Sequence, residues 1–304
     1  MSRRVLARGL SAAEGPVVGP NGWVLNVNSF DRPELGQATR GGDITATHPD
    51  RPGETRILFN TGGIPAALAF GPDGCLYVTD SGRRSIVRVE PDLTQTDLVR
   101  DWQGQPFNGT NDLSFDADGN LYFTDPYTTG PDNPVGGVYC SLWATREARR
   151  IDHGMQFPNG IVVRGDRLYV AETFTRTIWL HDVVAPGETS GRRVYTTLPP
   201  VEREGIQGPD GMCFDADGNL YVAYYGGACV CVFDSSGTLV ERLDPGSACP
   251  TNVCFGGERH DELYVTLDDT GELTVLEPGA LGERLAFCPS LAPDHPWGNV
   301  LPPH

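Results

Sequence analysis

The sequence predicts an all-β fold, a six-bladed β-propeller of four-stranded antiparallel blades, and three observations predict it. One short phrase recurs along the chain: "GWVLNV" at 22, "GCLYVT" at 74, "GNLYFT" at 119, "DRLYVA" at 166, "GNLYVA" at 218 and "DELYVT" at 261. Its landmark residues Leu25, Tyr77, Tyr122, Tyr169, Tyr221 and Tyr264 stand 52, 45, 47, 52 and 43 positions apart, as expected of a repeated unit with loop insertions of varying length. Within each unit, alternating apolar residues, β-branched and aromatic side chains and short Gly/Asp turns give the period of strands, not of helices.

Taken in order, the opening "RRVLARGL" precedes the first unit and is expected to close the ring as the outer strand of the last blade. The six units follow, and the fifth shows the blade most plainly: "GMCFD", turn, "NLYVAYY", turn, "CVCVFD", turn, "TLVERL". Radial packing buries the sheet faces that a lone meander would expose, so residues 1–304 read as one domain. A β-helix would need shorter repeats and parallel strands. "DADG", at 116 and again at 215, lacks the Asp ladder, the twelfth-position Glu and the flanking helices of a calcium loop, and reads as a hairpin turn.

Composition excludes several function classes. The formal charge is −17, and all 23 basic residues are Arg, a balance that argues against nucleic acid or an anionic membrane as partner. No apolar run approaches the roughly 20 residues of a membrane span, and the N-terminus lacks the apolar stretch of a secretory signal, so cytoplasmic residence is expected. The eight Cys include no CxxC pair; Cys229 and Cys231 share one face of a strand and, like Cys288 and the others, are expected to be small hydrophobes.

The innermost strands of a propeller run the same way around the channel, so their first residues gather at one mouth. Stepping back four from the apolar anchors Val18, Phe70, Phe115, Val163, Phe214 and Phe255 gives Glu14, Ala66, Asn111, Asn159, Asp210 and Thr251. Two carboxylates held about 4 Å apart at an effective dielectric near 20 repel by about 4 kcal/mol. Protonation or a shared cation relieves this, and two neutral amides at the same level favour the cation. With neither His nor Cys in the ring, calcium, magnesium or manganese fits this oxygen set before zinc or iron.

Together "EGPVV" at 14, "GTNDLSFDADGNLYFTDP" at 109, "FPNGIVV" at 157, "GPDGMCFDADGNLYVA" at 208 and "CPTNVCFGGERHDELYVT" at 249 resemble the SMP-30/gluconolactonase/LRE-like, or regucalcin-like, family from about residue 12 to 290. The resemblance implies a metal-dependent lactonase with one divalent ion held by Glu14, Asn159 and Asp210, Asp210 also being catalytic. It places a further polar residue near metal or substrate at Asn111, with Asp112 beside it. Regucalcin-type members carry an Arg two residues before the equivalent of Asn111, whereas this chain has Gly109. The expected reaction is the opening of a sugar lactone or related cyclic ester, the ion polarising the carbonyl and Asp210 directing water. The alternatives are a diisopropylfluorophosphatase-like phosphotriesterase and a non-enzymatic calcium- or partner-binding propeller.

Loops between second and third strands open on the same mouth, and two are long, at 26–42 and 124–137. Tyr127, Glu172, Arg83 and Tyr224 are the expected substrate contacts there, with Arg32, Arg40, Asp132, Arg84, Phe174, Arg176 and Tyr225 as further loop candidates. His260 falls at the opposite mouth and is expected at the surface. The expected partner is a small lactone, and the oligomeric state is left open.

Overall fold

The computed structural model describes residues 2–36, 38–287 and 294–301, so Cys288 lies outside the described residues. Its architecture is a ring of six four-stranded antiparallel sheets. The chain begins with β1 (Arg3–Arg8). The first blade is β2 (Ala13–Val18), β3 (Val24–Asn28), β4 (Asp43–Thr47) and β5 (Thr55–Asn60), and the second is β6 (Pro65–Phe70), β7 (Leu76–Asp80), β8 (Ser85–Val89) and β9 (Gln95–Val99). A small hairpin, β10 (Asp101–Trp102) and β11 (Gln105–Pro106), precedes the third blade, β12 (Leu113–Phe115), β13 (Leu121–Asp125), β14 (Gly136–Ser141) and β15 (Ala148–Met155). The fourth is β16 (Pro158–Arg164), β17 (Arg167–Glu172), β18 (Thr177–Ala185) and β19 (Glu188–Thr197), and the fifth is β20 (Gly208–Phe214), β21 (Leu220–Tyr225), β22 (Cys229–Phe233) and β23 (Leu239–Leu243). The sixth contributes β24 (Pro250–Gly256), β25 (Glu262–Leu267) and β26 (Glu272–Leu276).

The N-terminal segment closes the ring as its sequence suggests. β1 pairs antiparallel with β26, from Arg3 opposite Leu276 to Arg8 opposite Glu272. The buried Glu272 carboxylate receives both Arg3, at 2.7 Å, and Arg8. In the "DADGN" turns the first Asp does the work. Asp116 accepts from the Asp118 and Asn120 amides at 3.0 and 2.8 Å, and Asp215 accepts from the Asn219 amide at 2.7 Å.

The core is not central. It lies between neighbouring blades, in apolar layers that each draw on two adjacent sheets. The recurring phrase is explained by these layers, since all six landmark residues are buried. Tyr77 of the second blade meets Phe115 of the third edge-on with ring centroids 5.1 Å apart, and Tyr169–Phe214 and Tyr221–Phe255 repeat the contact at 5.0 Å. A Tyr on the second strands of the second, fourth and fifth blades thus locks onto the aromatic anchor of the next inner strand. Cys229 and Cys231 share a face as expected, with sulfurs 3.6 Å apart and unbonded.

One end of the channel is covered by residues 281–287. Gly282 donates to the His260 carbonyl at 2.7 Å, Glu283 to the Phe214 carbonyl at 3.0 Å, and the Phe287 ring lies 6.0 Å from Phe115. His260 is therefore not at the surface. It is buried beneath this strap, where its ring bonds the Glu283 carbonyl at 3.2 Å and its imidazole pKa is lowered by burial.

The interblade contact sets a test of stability. Phe255→Ala and Tyr221→Ala should each destabilise the protein by about 3–5 kcal/mol in urea titrations. The double variant should lose less than the sum by about 0.5–1.5 kcal/mol, the share of the edge-to-face pair beyond burial.

Candidate functional site

Five of the six ring positions, all but Asn111, sit at a local irregularity. Pairing between first and second strands slips between Glu14 and Val17, Pro65 and Ala67, Pro158 and Ile161, Pro209 and Met212, and Pro250 and Asn252. Such bulges kink an edge strand and re-aim a side chain. Ala66, Asn159, Asp210 and Thr251 each follow a Pro, a residue that an edge strand tolerates because the missing N–H has no ladder partner to leave unpaired.

A bulge also frees backbone carbonyls, and the preceding blade supplies hydroxyls to them. Ser29 donates to Pro65 O at 2.7 Å, Thr124 to Asn159 O at 2.8 Å, Thr173 to Pro209 O at 2.9 Å and Thr251 to Ala13 O at 2.8 Å, while Thr79 donates to Asn111 O. The residue after the ring position is constrained by the same crowding. A Cβ on Gly160 would overlap the Asp210 carbonyl, and one on Gly211 would overlap the Asn252 amide.

Glu14, Ala66, Asn111, Asn159, Asp210 and Thr251 all line one cavity of about 270 Å³ at the open mouth. Tyr127, Phe157 and Phe174 form an aromatic wall, with successive ring centroids 6.2 and 5.4 Å apart. Below the ring, an apolar chamber of about 300 Å³ runs down to the strap, with Asp112 and Asn252 facing it.

Electrostatics single out the two carboxylates. Burial, and then the negative charge of Asp210, pushes the Glu14 carboxyl well above the ordinary range. Burial likewise raises Asp210, followed by Asp112 and Asp268; the Gly211 N–H and the Asn159 amide oppose this only partly. Asp112 is pushed up to about 7 by burial, although it accepts the Leu113 and Ile161 amides at 2.8 and 3.1 Å. Among the described residues no three His, Cys, Asp or Glu side chains assemble as a metal cluster. A cation here would rest on two carboxylates with neutral amides, an oxygen set that suits a hard divalent ion and that both raised carboxyls would favour. Asn159 is held for such a role, its amide nitrogen donating to Thr173 Oγ1 at 3.2 Å.

The structure brings Glu14, Asn159, Asp210, Asn111 and Tyr127 together, and Arg32, Phe174 and Tyr225 from the loops join them. It directs the other expected contacts elsewhere. Asp112 turns to the lower chamber. Arg83 Nε bonds Asp97 at 2.8 Å and its Nη1 bonds the Thr61 carbonyl at 2.9 Å. Glu172 accepts from the Gln156 amide at 2.5 Å and the Trp179 indole at 2.8 Å, and Tyr224 is buried between blades with its hydroxyl on Pro199 O at 2.5 Å. Glu172 repeats a device seen at the equivalent Asn28, Asp80 and Asp125, each of which accepts an amide of the loop entering its own blade. Gly109 is likewise occupied, because a side chain there would overlap the Tyr127 ring.

Sequence reasoning missed Asp268, Phe157, Ile206 and Thr173. A signal was present: Ser29, Thr173, Tyr225 and Asp268 each stand four after a landmark residue, and all four line the cavity.

Comparison with known proteins places this geometry in a family. The chain is 35% identical over 247 residues to the diisopropyl-fluorophosphatase of Loligo vulgaris, covering 76% of each chain. It is 29% identical over 286 residues to the gluconolactonase of Zymomonas mobilis, covering 86% of this chain and 78% of that one. A solved structure of a regucalcin from Agrobacterium tumefaciens superposes with a TM-score of 0.77 at 19% identity, covering 94% of this chain and 97% of that one, and speaks for the fold. Residues 41–268 match the model of the SMP-30/Gluconolactonase/LRE-like region, and the chain belongs to that family.

Proposed function

We propose that the protein is a metal-dependent hydrolase that opens a sugar lactone or a related cyclic ester. The observation that carries this reading is the convergence of two carboxylates with raised pKa values and two amides on one open cavity. The names of its relatives, a gluconolactonase and a diisopropyl-fluorophosphatase, support a hydrolytic reaction.

Glu14, Asn159 and Asp210 would hold the divalent ion, with Asn111 beside them. When bound, such an ion supplies Lewis-acid polarisation of the substrate carbonyl and offsets negative charge on its oxygen. Asp210 would orient the attacking water and accept its proton at a carboxylate oxygen. Asn159, fixed by Thr173, keeps Asp210 in register across two blades. Tyr127, Phe157 and Phe174 pack against the body of the substrate and exclude bulk water from the attacked carbon. A phosphotriesterase is the second reading, favoured by the 35% identity to the diisopropyl-fluorophosphatase. Side-by-side turnover of aldonolactones and phosphotriesters separates the two.

Two outcomes are expected. In metal-loaded protein, Asp210→Ala and Glu14→Ala should lower kcat/KM for the lactone by at least about a thousandfold, the several kcal/mol a polarising ion supplies; unchanged hydrolysis would sink the assignment. In EDTA the raised carboxyls bind more protons folded than unfolded, so stability should fall as pH rises above the ordinary carboxylate pKa of about 4. Asp210→Asn should flatten that slope. Calcium at about a thousand times its Kd should raise wild-type stability by about 4 kcal/mol in thermal melts, and the variant should lose this gain.

A further inference from the structure

The rim of the cavity carries a polar cluster that the ring chemistry does not use. Arg32 stands near the tip of the loop at 29–42, while Tyr225 and Asp268 come from the ends of second strands on the fifth and sixth blades. Arg32 Nη1 lies 3.4 Å from Asp268 Oδ1, and Tyr225 donates its hydroxyl to Asp268 Oδ2 at 3.0 Å. Arg32 Nε also meets Glu34 at 2.8 Å. The foot of the loop is tied down, with Thr39 Oγ1 donating to Asn28 Oδ1 at 2.7 Å and the Ala38 amide donating to Gly9 O at 2.8 Å. Arg32 is therefore carried by a loop that is tied down at its foot.

Two features say what the cluster can recognise. Arg32 is the one basic side chain among the described lining residues, and its charge is already matched by Asp268 and Glu34, so it offers no surplus positive charge to an anion. Asp268 Oδ1 is buried and receives no hydrogen bond. Tyr225 holds the carboxylate by its other oxygen and leaves this acceptor beside the guanidinium donors. A hydroxyl is the small neutral group that both donates and accepts, so it can donate to this carboxylate oxygen while it accepts from the guanidinium beside it.

We infer that Arg32 and Asp268, steadied by Tyr225, form a specificity-determining pair that reads a hydroxyl of the substrate, so that a lactone bearing free hydroxyls is preferred to its plain alkyl counterpart. This inference rests on the lactone-hydrolase reading above and names the part of the cavity that would select among lactones. The aromatic wall accommodates the C–H faces of the substrate, and the rim pair discriminates by its polar groups, because a site built to bond a hydroxyl rejects the analogue that lacks one.

The test compares glucono-1,5-lactone with δ-valerolactone in metal-loaded wild type, Arg32→Met, Asp268→Ala and Arg32→Lys. Intrinsic reactivity cancels when the ratio of the two kcat/KM values is compared across variants. That ratio should fall at least about tenfold in Arg32→Met and Asp268→Ala, chiefly through a higher KM for the hydroxylated lactone, and Arg32→Lys should recover part of it. Calorimetry with the uncleavable gluconolactam and δ-valerolactam provides a readout independent of turnover: the tighter binding of the hydroxylated lactam should be lost in Asp268→Ala. Hydrolysis by wild type with an unchanged ratio in both variants overturns the pair alone. A wild type that cleaves neither lactone overturns the hydrolase reading, and the lactam titrations then decide the pair by themselves.

Discussion

The candidate site depends on one constraint, the crowding of six inner strands around a common axis. Their backbones approach so closely beside the ring that Gly160 and Gly211 leave no room for a Cβ, and five of the six strands carry a bulge there. A bulge turns the ring side chain toward the channel but takes a carbonyl out of the ladder. Hydroxyls of Ser29, Thr79, Thr124, Thr173 and Thr251 bond these carbonyls from the neighbouring blade. Each such bond contributes only about 1 kcal/mol net, whereas a buried carbonyl left unbonded costs about 1–3 kcal/mol. The lacing therefore fixes the height of each ring residue relative to the next, which separate sheets could not otherwise guarantee.

The ring itself works against the fold. Glu14 and Asp210 are forced upward in pKa by burial and by like charge, so the ionised apoprotein stores repulsion at its axis. The layers between blades bear that load, and none of them needs the ring: the Tyr–Phe contacts recur at 5.0–5.1 Å on blade boundaries away from it. Closure by β1 serves the same end, because it joins the N-terminal segment to the last blade in one sheet and buries Leu6 and Ala7 against the first and sixth blades. Stability and site chemistry are thus held by different residues of the same strands.

Much of this was legible in the sequence, and the limits have physical causes. The repeated phrase revealed the blades because every copy must fill the same interblade space. Stepping back four from an apolar anchor picked six positions that all line one cavity, because equivalent inner strands begin at the same height around the axis. The same "PNG" and "PDG" wording read alone suggests turns, yet both lie inside strands, β16 and β20. Arg83, Glu172 and Tyr224 were harder to place because loop candidates are judged by location, whereas direction is decided by local partners. Tyr224 and Tyr225 are adjacent in β21, so alternation sends one between blades and the other into the cavity. His260 misled for a related reason: a hairpin residue is exposed unless a distant segment covers it, and the strap at 281–287 leaves no periodic trace in the sequence.

The lacing also accounts for where the rim is free to vary. In the first and fourth blades the hydroxyl that laces to the next blade stands four after the landmark, at Ser29 and Thr173, so that position is committed to the fold. In the second and third blades the lacing Thr stands two after it, at Thr79 and Thr124. The sixth blade uses the ring residue Thr251 itself, whose Oγ1 lies 2.8 Å from Thr266 Oγ1. Asp268 is thereby released from scaffold duty, and Tyr225 of the fifth blade spends its hydroxyl on Asp268 and not on a backbone carbonyl. Chemistry can change at these two rim positions without moving a ring residue, because no bulge carbonyl depends on them. A fold that fixes its ring layer through backbone carbonyls, and leaves the adjacent rim to side chains alone, lets the rim change while the ring stays in place.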